Sequence, residues 1–166
     1  MANKASFSPD EWTKVLQSVM LAGIAVTAAE PSGLWGTLKE SMVAGRTLIE
    51  AKSDAKSNDQ IKAVVADFES SEGRAAVRDG LHAALSGGQL GEIKTKAVAG
   101  VRDAAALVDA KAPGDAPAFK AWLRHISQSV ADASTEGGFL GFGGVRVSDA
   151  EKATLAEISG ALGLSG

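Results

Sequence analysis

Apolar residues recur at intervals of three and four along most of the chain, and this spacing predicts α-helices. The most regular stripe is Leu90, Ile93, Ala97, Val101, Ala104 and Val108. A second stripe follows Pro117 and consists of Phe119, Trp122, Leu123, Ile126 and Val130. Each stripe occupies one side of a helix and is typical of helices packed in a bundle. We therefore predict two long helices that face a core in the second half of the chain.

The first helix is predicted from its capping residues. Ser8 precedes Pro9, which suits the first helical position, and Glu11 stands three residues after the serine. This order is a capping box. The apolar face that follows holds Trp12, Val15, Leu16, Val19 and Met20. We expect this helix to end near Ala29.

Three shorter helices are predicted between residues 32 and 88. The first begins near Ser32 and carries Trp35, Leu38, Met42 and Ile49 on one face. Asn58 caps the second, whose inward residues are Ile61, Val64, Val65 and Phe68. The third follows Gly73, carries Val77, Leu81 and Leu85, and ends at residues 86–88. The three tryptophans of the chain each begin or join an apolar stripe, so we expect them to be buried.

A last helix is predicted near the end of the sequence. Ser148 and Glu151 form a second capping box, and Gly163 stands where a left-handed stop belongs. The sequence thus predicts an all-α protein of about seven helices, arranged as a bundle or an orthogonal array. A segment rich in Gly and Phe precedes the last helix. Residues 1–166 have the length of one domain.

Composition and charge narrow the classes of partner. The chain has 17 basic and 20 acidic residues and a net charge of -3, with both signs spread along it, so we do not expect it to bind nucleic acid. It has no cysteine, which excludes disulfides and thiolate chemistry. The N-terminus shows no export signal, and the most apolar window, residues 19–29, is shorter than the roughly 20 residues of a transmembrane helix. These features favour a cytoplasmic protein with no transmembrane segment.

Catalytic patterns are not evident. The two histidines, His82 and His125, lie on different predicted helices and have no metal-ligand spacing, so we interpret both as surface or structural residues. One weak cation pattern remains, because Asp132, Ser134 and Glu136 alternate before a glycine as in the calcium loop of an EF-hand. Position twelve of that loop is Gly143, where a bidentate Glu is required. We expect at most weak binding of a divalent cation there and no other cofactor; an acidic helix end is the alternative.

The segment before the last helix combines flexibility with large apolar side chains. Phe139, Leu140 and Phe142 lie among five glycines, and Arg146 follows. Side chains of this size form an exposed apolar patch if they stay in water, so we expect either the rest of the chain or a partner to cover them. Two interpretations remain open: a lid over the open end of the bundle, which we favour, or an interface that inserts into a partner protein, a second copy of the chain or a lipid surface.

Two segments of the sequence resemble each other, and we call this similarity the internal echo. Residues 22–36 and 127–141 each end a helix in Glu and continue with a small turn, a Leu and an aromatic residue. Chance similarity in an alanine-rich chain is one explanation. The other is a pseudo-symmetric pair of helices whose turns face each other.

One stretch resembles a known family. Residues 147–165, VSDAEKATLAEISGALGLS, resemble the closing helical unit of the TerB-like tellurite-resistance proteins, which are small all-helical bacterial domains. In that family, acidic side chains in the turns are associated with metal ions. The resemblance implies such a role for Asp132, Glu136 and Glu151, and also for Glu30.

Three functional hypotheses follow. The favoured one is a soluble, non-enzymatic helical module that binds a protein partner or itself. The second is a TerB-like metal-binding stress protein. The third is a small-ligand carrier, or an enzyme, whose pocket lies between helices.

Overall fold

The computed structural model describes residues 4–29, 46–54, 58–87, 90–135, 147 and 149–164. Within these ranges the chain forms one short 3₁₀ helix, Lys4–Ser6, and seven α-helices and no strand, so the predicted all-α fold is confirmed. The α-helices are α1 (Pro9–Thr27), α2 (helical residues 46–53), α3 (Asp59–Glu69), α4 (Ser71–Leu85), α5 (Leu90–Lys111), α6 (Ala116–Thr135) and α7 (Asp149–Leu162).

The capping residues begin two of these helices as predicted. The Glu11 amide donates to Ser8 Oγ at 3.3 Å, and the Ser8 amide donates to Glu11 Oε2 at 2.8 Å, which completes the capping box of α1. Asn58 Oδ1 accepts from the Ile61 amide at 3.0 Å. The other end of the Asn58 side chain donates to the Asp115 carbonyl at 2.9 Å, so this cap also fixes α3 to the turn before α6.

Helix α4 begins earlier than predicted, because Ser70 acts at two helix ends. Its amide closes the last turn of α3 on the Asp67 carbonyl at 3.0 Å, and its hydroxyl accepts from the Gly73 amide at 2.9 Å. A Cβ on Gly73 would lie only 2.0 Å from the Asp67 carbonyl oxygen. Glycine therefore belongs to the tight junction between the two helices, and it does not mark a loop before α4.

The end of α7 follows the prediction. Gly163 has a φ of 69°, its amide donates to the Gly160 carbonyl at 3.1 Å, and the Leu164 amide donates to the Ser159 carbonyl at 2.9 Å. These two bonds form a Schellman motif, and Leu164 packs against the core. Ser148, the predicted cap at the other end, lies outside the described residues.

The core surrounds α1, which contacts α3, α4, α5, α6 and α7. Its predicted stripe is buried at Trp12, Val15, Leu16 and Val19, whereas Met20 is partly buried. Trp12 is only 3% exposed. The predicted stripes of α5 and α6 are also buried at Ala97, Val101, Ala104, Val108, Phe119, Trp122, Leu123, Ile126 and Val130. The burial of two tryptophans is thus confirmed, and Trp35 lies outside the described residues.

One predicted face is wrong. Ile49, expected to point inward from the second helix, is 69% exposed. Thr47 and Ala51 face the core instead. These residues are four apart and share a side of α2, which the bulkier Ile49 does not. Extending the apolar stripe to the largest side chain is therefore incorrect here, because the helix turns Thr47 and Ala51 inward.

The long helices have defined directions. At one end, Lys111 of α5 donates to Glu11 of α1 at 2.7 Å, and further along Gly100 lies against Leu21, so α5 runs antiparallel to α1. The chain then turns through residues 112–115 and enters α6. Helix α6 is therefore parallel to α1, and both helices end on the same side of the molecule.

A buried hydrogen bond joins these parallel helices. Ser127 Oγ donates to the Ala22 carbonyl at 2.9 Å. The two residues hold equivalent positions in the internal echo of the sequence, so the two echoing helices lie side by side. The turns that follow them lie outside the described residues.

The contact between α1 and α5 predicts an unusual effect of alanine. A Cβ on Gly100 would lie 2.4 Å from Cδ1 of the buried Leu21, whereas a Cβ on Gly160 would meet nothing within 4 Å. Gly160→Ala should raise the free energy of unfolding by about 0.5–1 kcal/mol through helix propensity. Gly100→Ala should lower it by about 1–3 kcal/mol through overpacking. Denaturant unfolding of both variants measures the difference, and equal stabilisation would show that Leu21 moves aside freely.

The ion pair between α1 and α5 predicts that the stability of the folded state depends on pH. The hydrogen bond from Lys111, together with the Ser8 amide, holds the pKa of Glu11 below its ordinary value. A carboxyl whose pKa is lowered by folding stabilises the folded state above its unfolded pKa, and this contribution is lost as the pH falls through the folded pKa. Lys111→Met should raise the pKa of Glu11, as measured by carboxyl NMR titration. Lys152→Met, which removes the same charge from α7, should leave it unchanged; an equal rise in both variants would point to net charge alone.

Candidate functional site

A half-open groove of about 520 Å³ lies between α2, α3 and α6. We call it the α2/α6 groove. Its apolar lining is Ala51, Ile61, Ala118, Ala121 and Trp122, and its polar lining is Thr47, Glu50, Asp54 and His125. Small and aliphatic side chains thus form most of the surface that a bound molecule would touch.

The wall supplied by α6 has the spacing of a helix-packing face. Ala118, Ala121, Trp122 and His125 stand at positions i, i+3, i+4 and i+7, so they lie on one side of the helix. Trp122 is 8% exposed and also contacts Phe119, with ring centroids 6.1 Å apart. The two alanines and the histidine are exposed. Alanine side chains are short enough to let another helix approach the backbone of α6 closely.

The opposite wall is acidic. Glu50 of α2 and Asp54, the residue that follows the end of this helix, are both exposed and line the groove. Glu50 Oε1 accepts from Arg46 at 2.9 Å, a solvent-exposed pair of the kind that contributes little to stability. Such a pair can be exchanged for one with an incoming cation at small cost. Ile49, next to Glu50 in the sequence, adds the large exposed apolar side chain of this helix.

The lining of the groove is suited to contact with an apolar group that carries a positive charge. Within the described ranges, no three His, Asp or Glu side chains come together as ligands for one ion. The groove instead offers an apolar floor for an aliphatic side chain and carboxylates for a basic group.

The residues of the predicted cation loop are placed differently from the EF-hand pattern. Helix α6 continues through Asp132 and Ser134, where that pattern requires a loop. Asp132 is exposed, and its Oδ1 accepts from Gln128 Nε2 at 2.9 Å. Glu151 is buried in the first turn of α7. Glu30 and Glu136 lie outside the described residues, so the structure does not bring the five predicted ligands together or separate them.

The segment with the large apolar residues also falls outside the described ranges. This applies to Phe139, Leu140, Phe142 and Arg146, so lid and interface both stay predictions. Val147, the next residue described, packs against the core.

Sequence reasoning identified the histidines as surface residues but missed the groove. His82 and His125 are both exposed, and His125 forms part of the groove wall. The groove depends on which side of α2 faces inward, and the sequence prediction had that side wrong. The pattern in the sequence that could have indicated the groove is the pair of alanines at positions 118 and 121, one turn apart beside Trp122.

Comparison with known proteins gives the chain no relatives: it matches no protein-family model, no curated protein and no solved structure. The TerB-like resemblance therefore stays a prediction. None of the described helices is long and apolar enough to cross a membrane.

A buried amide near the groove predicts a stabilising substitution. Gln60, beside the groove residue Ile61, is fully buried, and neither its Nε2 nor its Oε1 has a hydrogen-bond partner in the structure. An unsatisfied buried amide costs about 1–3 kcal/mol, so Gln60→Met should raise the free energy of unfolding by about 1 kcal/mol or more.

Gln128 provides the control, because its side chain donates to Asp132 and accepts from Arg124 at 3.0 Å. Gln128→Met should not stabilise the protein. Chemical denaturation of the two variants makes the comparison. Destabilisation by Gln60→Met would mean that the amide is satisfied in solution, for example by a bound water.

Proposed function

We propose that this chain is a non-enzymatic protein-interaction module that holds a helix of a partner protein in the α2/α6 groove. The observation that carries the proposal is the exposed face of α6, where Ala118 and Ala121 flank the ring of Trp122 and open onto the groove. Binding of an amphipathic helix in an apolar groove is a common mode of recognition and uses apolar anchors at i, i+3 or i+4, and i+7.

The dimensions of the groove suit side chains from one helix. Its volume of about 520 Å³ lies within the range of sites that accept a compact apolar group. The floor at Ile61 and Trp122 is already held rigid by the core, so little side-chain entropy is lost when a partner binds.

The charge of the groove determines which kind of partner helix we expect. Glu50 and Asp54 stand on one wall, and the net charge of the chain is -3. A partner with Lys or Arg beside its apolar anchors would pair with these carboxylates, whereas an acidic helix would be repelled. The proposed occupant is therefore a basic amphipathic helix of another protein.

A display selection of helical peptides against the intact chain tests the proposal. The enriched peptides should carry aliphatic residues along one face and Lys or Arg beside them. Ala121→Arg fills the groove and adds a like charge, so it should weaken their binding by at least about tenfold, or about 1.4 kcal/mol. Ala106→Arg makes the same change at an exposed alanine of α5 outside the groove and should have no effect.

Two results would contradict this function. One is selected peptides that bind the Ala121→Arg variant as well as the unchanged chain. The other is a dimer of the chain in sedimentation experiments that Ala121→Arg dissociates, because a second copy would then be the occupant. Circular dichroism of both arginine variants checks that the helices are retained.

A further inference from the structure

A second cavity, of about 240 Å³, lies on another side of the molecule between α1, α4 and α5. It is smaller than the roughly 300–1,000 Å³ of pockets for drug-sized ligands, so only a small molecule would fit. Its residues divide into two parts. Leu21, Ala84, Ala99 and Gly100 form an apolar part, and Gln17 lies at a polar end with Lys14 and Asp103. Lys96 also lines the cavity, and its ammonium donates to the Ser86 carbonyl at 3.3 Å.

Gln17 is the most informative residue of this cavity. Its side chain is only 9% exposed and makes no hydrogen bond within the described part of the chain. A Cβ on Gly80 would lie 1.7 Å from Gln17 Nε2, so the amide is pressed against the backbone of α4. This side chain lines the cavity, so its amide can pair with a polar group of a molecule bound there.

The helix directions place two charges beside this amide. Because α5 is antiparallel to α1 and Gly100 faces Leu21, Asp103 lies at about the level of Gln17. Lys14 is one turn away from Gln17 on the same side of α1. Neither Lys14 nor Asp103 has an ion-pair partner among the described residues, and they do not pair with each other.

An ammonium, a carboxylate and an amide around one small cavity complement a ligand that carries both charges. A ligand carboxylate would bind the Lys14 ammonium and the Gln17 amide N–H, and a ligand ammonium would bind the Asp103 carboxylate. An aliphatic side chain would extend along Leu21 and Ala99. We propose that this cavity binds a small aliphatic amino acid.

NMR titration of the intact, isotope-labelled chain with three probes tests the proposal. The probes are L-leucine, isocaproate, which lacks the ammonium, and isoamylamine, which lacks the carboxylate. L-leucine should give saturable shifts at the side-chain amide of Gln17 and the backbone amide of Gly100. The affinity of each analogue should be at least about tenfold lower than that of L-leucine, because each analogue loses one charged contact.

Two exposed alanines of α4 provide a matched pair of variants. Ala84→Leu fills the apolar part of the cavity and should weaken L-leucine binding at least tenfold. Ala83→Leu makes the same change one residue earlier, outside the cavity lining, and should leave binding unchanged. Gln17→Met keeps the size of the side chain and should also weaken binding about tenfold.

The proposal is overturned by several distinct outcomes. No saturable shift with L-leucine at millimolar concentrations would exclude the site. If isocaproate bound as tightly as L-leucine, the ligand ammonium would contribute nothing, and the site would only bind anions through Lys14. Shifts that survive Ala84→Leu would place the ligand elsewhere. This cavity and the α2/α6 groove share no residue, so the outcome of the NMR titration does not depend on the outcome of the peptide selection.

Discussion

The burial of α1 against five other helices is the constraint on which the rest of the structure depends. A helix enclosed in this way needs small residues where its neighbours come close, and the chain supplies them at Ala22, Gly80 and Gly100. At Ala22 the approach allows a hydroxyl of α6 to reach the backbone of α1. At the two glycines, side chains of α1 lie directly on the backbones of α4 and α5. The close contacts thus set both the spacing and the direction of the surrounding helices.

The same close packing leaves both concave surfaces at defined places. Gly100 has no side chain to fill the space beside Leu21, and the cavity between α1, α4 and α5 opens there. Helix α6 is held on α1 through its buried stripe, so its remaining face is free to form the groove with α2 and α3. Alanines at 118 and 121 keep that face shallow. Each surface therefore arises from the choice of small residues at a helix contact.

Helix boundaries and core stripes could be predicted because they depend on residues close together in the sequence. The capping box at Ser8, the Asn58 cap and the left-handed Gly163 are local chemistry. The sides that helices show to one another are not local. The size of Ile49 predicts a core position, but the buried residues of α2 are Thr47 and Ala51. Neither concave surface could be predicted, since each combines residues from three helices separated by long stretches of chain.

The direction of α6 separates the groove from the C-terminal end of this helix. The groove uses residues up to His125, whereas the helix continues to Thr135. At a rise of about 1.5 Å per residue, ten residues place that end roughly 15 Å beyond the groove along the axis. Helix α1 ends on the same side of the molecule, because α1 and α6 are parallel. A lid over that end, as the sequence predicts, would cover the tips of two helices, while the groove opens on the flank of α6 near its N-terminal half. The groove and the helix ends are therefore separate surfaces of the described residues.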